Sequence, residues 1–192
     1  MKALVIFCHP NPKSFNAAIL DVVKQELEQR AAEIKVKDLY AMNWNPVLSA
    51  SDFQQFLANQ KPEDIAGEQA DVAWADILVL ISPIWWFSVP AMLKGYIDRV
   101  MSQGFAYEYT DNGPRGLLPG KRAAIITTSG ADENTANQSG MMQAINTSFV
   151  NGIFAFCGFA DVKYINYYAV PMVSNEERKQ MLDNVRQFIK TI

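Results

Sequence analysis

Histidine occurs once in these 192 residues, as His9, and cysteine twice, as Cys8 and Cys157. One histidine cannot build a histidine-based metal site, and the two cysteines lack metal or redox spacing, so no metal is expected. The same count excludes a disulfide framework and leaves two buried thiols in a reducing compartment. No run approaches the roughly 18 apolar residues of a membrane span. The opening MKALVIFC faintly mimics a secretory signal, but its apolar core is short, Phe7 is bulky, and no small-residue cleavage site follows. A cytoplasmic protein without membrane insertion is expected. Charge is balanced: 17 basic against 20 acidic side chains, a net charge of -3 and a pI near 5.2 argue against nucleic acid or anionic membrane as the main partner. No GxGxxG follows any apolar run, which disfavours a Rossmann-type dinucleotide site. Repeats, low-complexity tracts and linkers are absent too, and the length suits one domain spanning 1–192.

What is present is an alternation. Apolar runs at 3–8, 76–81 and 123–128 read as strands buried on both faces. IKVKDL, at 34–39, alternates as a strand near a sheet edge would, and a further strand is expected near 161–168. Between them, helical spacing marks Phe15, Ile19, Val22, Val23 and Leu27 behind the N-cap Ser14. Further helices are expected at about 51–58, at 63–75, from Pro90 to Met101 and near 140–157. The last helix opens with the capping box of Ser174 and Glu177. Residues 103–120 and those from 129 to about 139 are expected to be loops. Strand alternating with helix predicts a doubly wound α/β fold, a five-stranded parallel sheet in the order 2-1-3-4-5 with helices on both faces.

Ligands of such sheets bind outside the carboxyl ends of the strands, near the switch point. That rule selects residues 9–16, 82–87 and 127–130. The first loop, HPNPKSFN, has no glycine, yet the free amides of the helix start, with Ser14, Asn16 and Lys13, suit a phosphate. They equally suit a capped connector stiffened by its prolines. A cysteine-based phosphatase is disfavoured, since Cys8 is followed by His9 and not by glycines and an arginine. In the second loop, SPIWWFSVP, consecutive Trp85, Trp86 and Phe87 cannot all be buried in one sheet face. A flat ligand stacked beside them and a subunit interface each account for that surface. The third, TTSG, offers hydroxyls and amides to the polar edge of a heteroaromatic ring. Phosphate donors, aromatic platform and hydrogen-bonding strip on one edge together describe a flavin site.

HPNPKSFN, DLYAMNWNPVLS, ADILVLISPIWWFSVPAMLKGYIDRV, FAYEY, TTSG and FCGF, in order from residue 2 to about 160, resemble the NAD(P)H:quinone oxidoreductases of flavodoxin-like fold. The resemblance implies a homodimeric flavoprotein with FAD, or alternatively FMN, as cofactor and NAD(P)H as co-substrate. It implies ping-pong, two-electron hydride transfer through the flavin N5 to quinones, and often to nitro or azo compounds. Carried over by position, His9, Ser14, Phe15 and Asn16 hold the phosphate-bearing chain. Pro83, Ile84, Trp85, Trp86 and Phe87 line the isoalloxazine, while Thr127, Thr128, Ser129 and Gly130 bond its edge. Phe105, Ala106, Tyr107 and Tyr109 of the FAYEY segment cover the substrate pocket at the partner subunit's flavin. Well-studied members place a tyrosine and a histidine against the charge of the reduced flavin. Counting without gaps from Thr127 gives Thr135 and Met141 here, so backbone amides near 129–131 are the expected substitute. The C-terminal extension of longer members does not fall within 192 residues, which keeps FMN open. Two other roles belong to such relatives: an ancillary subunit of a potassium-efflux transporter, and a one-electron flavodoxin carrier. The carrier is disfavoured because such proteins are typically more acidic.

Overall fold

Three largely apolar runs and two mixed ones become the central strands of the computed structural model, which describes residues 1–58 and 60–192. Residue 59, between the helices expected at about 51–58 and at 63–75, lies outside the described residues. In chain order the elements are β1 (Lys2–Phe7), α1 (Phe15–Gln29), β2 (Glu33–Asp38), α2 (Ala50–Leu57), α3 (Glu63–Trp74), β3 (Ile77–Pro83) and α4 (Ala91–Val100). They continue with β4 (Tyr107–Thr110), β5 (Gly113–Gly116), β6 (Arg122–Thr128), α5 (Glu133–Gln138), α6 (Met141–Ile145), a π-helical segment Asn146–Ala155, β7 (Asp161–Tyr167) and α7 (Asn175–Lys190). Five strands form one sheet in the order β2-β1-β3-β6-β7, every pair parallel. With the β4–β5 hairpin set aside, this is the expected order. No helix among the described residues is long and apolar enough to cross a membrane.

Period-two alternation divides the core into two halves. Leu4, Ile6, Leu78, Leu80, Ala123 and Ile125 face one side, packed with residues of α3, α4 and α6. Ala3, Val5, Phe7, Ile77, Val79, Ile81, Ala124 and Ile126 face the other, against α1 and α7. Both faces of β3 are covered, so all seven of its residues are buried. At about 1.5–3 kcal/mol for each large apolar side chain removed from water, this strand pair and its neighbours fix the frame on which the loops sit.

Two expected loops contain structure. Residues 103–120 hold an antiparallel hairpin, Tyr107 to Gly116, closed by the two-residue connection Asp111–Asn112, with Gly113 at φ 103°. Its last residue lies against the turn after the π-helical segment: a Cβ on Gly116 would stand 2.3 Å from the Cys157 carbonyl carbon. Residues 133–138 are helical as α5, capped by Asp132, which accepts from the Thr135 amide. The helix expected near 140–157 changes pitch inside, from α6 to the wider π-helical segment.

On α2 the capping box of Ser49 and Asp52 turns Asp52 inward. There both carboxylate oxygens meet Arg99 of α4, at 3.0 and 3.2 Å. Arg99 also donates to Asp64 at 2.6 Å and to the Asn45 carbonyl, and its guanidinium lies 5.0 Å from the Trp44 ring. Burial pushes the Asp52 carboxyl up, but the bonds from Arg99 and from the Ser49 amide outweigh it and hold it below its ordinary value. With Asp52 inward, Phe53 and Leu57 point to solvent, 54% and 88% exposed.

Candidate functional site

The three loops selected from the sequence converge at the carboxyl edge of the sheet. Pro83 and Thr128 are partners in the β3–β6 register, and the Ile84 amide donates to the Thr128 carbonyl at 2.7 Å. Asn16, in the first turn of α1, donates from Nδ2 to Thr128 Oγ1 at 2.9 Å, which ties the first loop to the third. The His9 ring meets Trp85 edge-on at 6.2 Å, which ties the first to the second. His9 Nδ1 lies 3.0 Å from the Asn11 amide nitrogen and 3.2 Å from the Asn11 carbonyl oxygen, which holds the ring against its own loop.

The first loop is a helix start with spare donors. Ser14 caps α1 by accepting from the Ala17 amide, while the amides of Phe15 and Asn16 meet no acceptor among the described residues. The Phe15 ring itself packs on the core against α1 and α7. Asn16 is buried, and its Oδ1 has no hydrogen-bond partner. This acceptor cannot serve a phosphate, but it suits a hydroxyl or N–H donor of a ligand. A group with both an anionic end and donor hydroxyls, such as a flavin's ribityl phosphate chain, therefore fits this corner better than a bare anion does.

The second loop stores strain. Trp85 and Ser88 exchange backbone hydrogen bonds at 2.8 and 3.1 Å around a two-residue turn. Its central residues, Trp86 and Phe87, both lie in the left-handed region, at φ 50° and 60°. Asn-Gly would fill such a turn without penalty; two bulky aromatics hold it at a cost of about 1–3 kcal/mol each. What results is display: Trp86 is 97% exposed, while Pro83 and Ile84 behind it are buried.

In the third loop the side chains face inward. The buried Thr127 hydroxyl donates to Asn166 Oδ1 at 2.8 Å and lies 2.9 Å from the Tyr164 hydroxyl. Asn166 Nδ2 donates to Ser129 Oγ at 3.1 Å, and Ser129 Oγ to the Ala131 carbonyl at 3.1 Å. Thr127, Thr128 and Ser129 thus spend their side chains within the protein. Gly130 is exposed, and the amides of Gly130 and Ala131 meet no acceptor among the described residues. Asn166 and Tyr164 escaped the sequence reading; their only local signal is polar atoms inside the strand VKYINYY. Thr135 is an exposed residue bonded to Asp132, and Met141 is buried in the core. Burial pushes the Cys8 thiol up to about 12 and that of Cys157 to about 11, so neither is a thiolate nucleophile near neutral pH.

The FAYEY segment lies apart from these loops. Ala106 is in the core, and Phe105 is half-buried beneath Lys61, whose Nζ is 5.6 Å from its ring. Tyr107 and Tyr109 stand edge to face at 5.7 Å, and Tyr107 leans on Phe156 at 5.2 Å. With Phe53, Leu57 and Ile153 they line an open cavity of about 670 Å³, to which none of the three loops contributes. The aromatic turn precedes α4 and the cavity takes in its last turn, so the length of a ten-residue helix, about 15 Å, separates them along the chain.

Comparison with known proteins places this geometry. The family model described as flavodoxin-like fold matches residues 1–189. An uncharacterized NAD(P)H oxidoreductase of Haemophilus influenzae is 36% identical over 97% of this chain and 93% of its own length. The human ribosyldihydronicotinamide dehydrogenase [quinone] is 33% identical over 100% of this chain and 91% of its own. Among solved structures, an NAD(P)H:quinone oxidoreductase from Methanothermobacter marburgensis superposes with a TM-score of 0.89 at 26% identity, covering 98% of this chain and 95% of that one.

Proposed function

Because the chain belongs to the flavodoxin-like fold family, we propose that it is a flavin-dependent NAD(P)H:quinone oxidoreductase acting as a homodimer. The observation that carries this is the corner at Asn16. Its Nδ2 is committed to Thr128, its Oδ1 is orphaned, and free helix-start amides adjoin it. The phosphate-bearing chain of a flavin supplies acceptors for those amides and hydroxyl donors for that oxygen. FAD is the proposed form and FMN the alternative, since the corner serves the part common to both. The names of the relatives support NAD(P)H as donor and a quinone as acceptor. Two free thiols favour a reducing, cytoplasmic setting.

Bound here, the flavin would supply hydride acceptance and two-electron delivery, chemistry that belongs to the cofactor. The chain's residues bind and orient. Ser14, Phe15 and Asn16 would hold the polar chain, Trp86 and Phe87 would give flat surface for the ring system, and the Gly130 and Ala131 amides would donate to its polar edge. Tyr107 and Tyr109 belong to the substrate pocket, but a single chain separates them from the flavin loops. In a two-fold dimer the hairpin of one copy covers the loops of the other, and the exposed Phe53, Leu57 and Phe156 are withdrawn from water. Closure on stacked rings supplies proximity and excludes water.

The test is direct. Protein purified or reconstituted with flavin should show flavin absorbance that bleaches with NADH or NADPH and returns with a quinone. Failure to take up FAD or FMN after reconstitution would overturn the reading, and the mass of flavin released on denaturation decides between the two.

A further inference from the structure

Thr127 and Asn166 are partners in the β6–β7 register, and both are buried polar residues. A buried pair of this kind is not needed for stability, because apolar residues of the same shape can replace such a pair at little or no loss. The direction of its bonds shows what it does. A threonine hydroxyl has one proton, and Thr127 gives it to Asn166 Oδ1. It must then accept from Tyr164, so the order runs from Tyr164 to Thr127 to Asn166. Asn166 Nδ2 donates to Ser129 Oγ, which turns the Ser129 proton onto the Ala131 carbonyl. The backbone is fixed at the same points: the Ser129 carbonyl accepts from the Val170 amide at 3.1 Å, and the Ala131 carbonyl from the Ala169 amide at 2.9 Å. A trans peptide is planar, with its N–H opposed to its C=O, so anchoring the Ser129 carbonyl aims the Gly130 amide the other way. The Ala131 amide is held between the two anchored residues.

We propose that Tyr164, Thr127, Asn166 and Ser129 form a positioning chain that presets the Gly130 and Ala131 amides as the group stabilising negative charge on the reduced cofactor. The proposal rests on the flavin reading above. Thr135 and Met141 offer no cation or acidic proton for that task, whereas two fixed amide dipoles cost no reorganisation when charge develops. The chain's members touch no reacting atom; they act through the loop.

The experiment uses flavin-loaded protein and reads the midpoint potential by spectroelectrochemical titration, alongside the dissociation constant of oxidised flavin by fluorescence. Asn166→Leu keeps the branched heavy-atom skeleton but cuts the chain at its centre. It should weaken reduced flavin relative to oxidised about tenfold, a midpoint more negative by about 30 mV for a two-electron couple. Tyr164→Phe deletes only the first hydroxyl, on a half-buried residue whose removal leaves the core intact, and should shift the midpoint the same way by less. Variants that melt earlier but keep the wild-type potential would reduce the chain to a structural device and overturn the proposal. Wild-type protein that takes up neither FAD nor FMN would overturn the flavin reading itself, a separate outcome.

Discussion

Asn16, Thr127, Thr128 and Ser129, on the polar side of the site, are each at most 5% exposed and are bonded to one another or to β7. On the aromatic side, Trp86 and Leu57 are almost wholly in solvent, and the tyrosines of the hairpin open onto a cavity. Buried polar groups need partners when the chain folds, and on the polar side all these side chains are bonded within this chain, with only Asn16 Oδ1 left for a ligand. Exposed aromatic surface can wait, and here a left-handed turn holds it out at a cost in strain. The contrast supports the proposed division: recognition of a cofactor's polar parts is preorganised in one copy, whereas the pocket for flat substrates would be completed by the docking of a second copy.

The largest expected effect breaks the aromatic side alone. Asp52→Ala removes the inward anchor of α2 and leaves Arg99 with one bonded carboxylate, that of Asp64, in place of two, which should cost about 3 kcal/mol in denaturant unfolding. The same anchor has an acid liability. The folded Asp52 value lies below the unfolded one, so its contribution is complete above about pH 3.9 and is lost as pH falls through the folded value. Asp52→Ala should flatten that part of the acid profile; an unchanged profile would free α2 from dependence on the pair.

Next comes a change confined to the polar side. Ser14→Asp keeps a good N-cap but sets a negative charge against the proposed phosphate. Flavin affinity should fall about 100-fold, near 2.7 kcal/mol, with little change in melting temperature. Undiminished affinity would mean that the helix start holds no anion. Smaller again, Leu57→Lys should raise the dimer dissociation constant about tenfold by sedimentation and spare flavin affinity. A monomeric wild-type protein would remove the comparison's second half.

The mildest effect lies in alkali and returns to the polar side. Burial pushes the Tyr164 phenol up to about 12, against a lowering by its bond with Thr127. Its folded value exceeds the unfolded one near 10, so its contribution is complete below about pH 10 and disappears as pH rises through 12. Tyr164→Phe should remove that component from the alkaline unfolding profile, leaving those of other buried groups such as the Cys8 and Cys157 thiols and the Tyr96 and Tyr167 phenols.

The frame was legible because strands buried on both faces appear in sequence as unbroken apolar runs, and the strand-end rule then picked the three loops. The hairpin was not, although Asp111, Asn112 and Gly113 are turn residues. Its strands have four residues each, and the second is Gly-Pro-Arg-Gly, with no alternation to read. Asn166 could not be placed opposite Thr127 from any local pattern, because that contact follows from the register of strands 39 residues apart. On α2 an apolar-inward reading would bury Phe53 and Leu57; the ion pair of Asp52 with Arg99, made 47 residues away, rotates the helix to expose them.

One complementation experiment tests the divided site. Ser14→Asp leaves a chain with a sound hairpin and weakened flavin binding, and Tyr107→Ala with Tyr109→Ala leaves one with flavin and no cover; assays run at a flavin concentration that fills the second but not the first. Each alone should have little quinone reductase activity. Co-expressed and purified as mixed dimers, they should recover activity, because one of the two sites then joins intact flavin loops to an intact hairpin from the other copy. Mixed dimers as inactive as either parent would contradict the account.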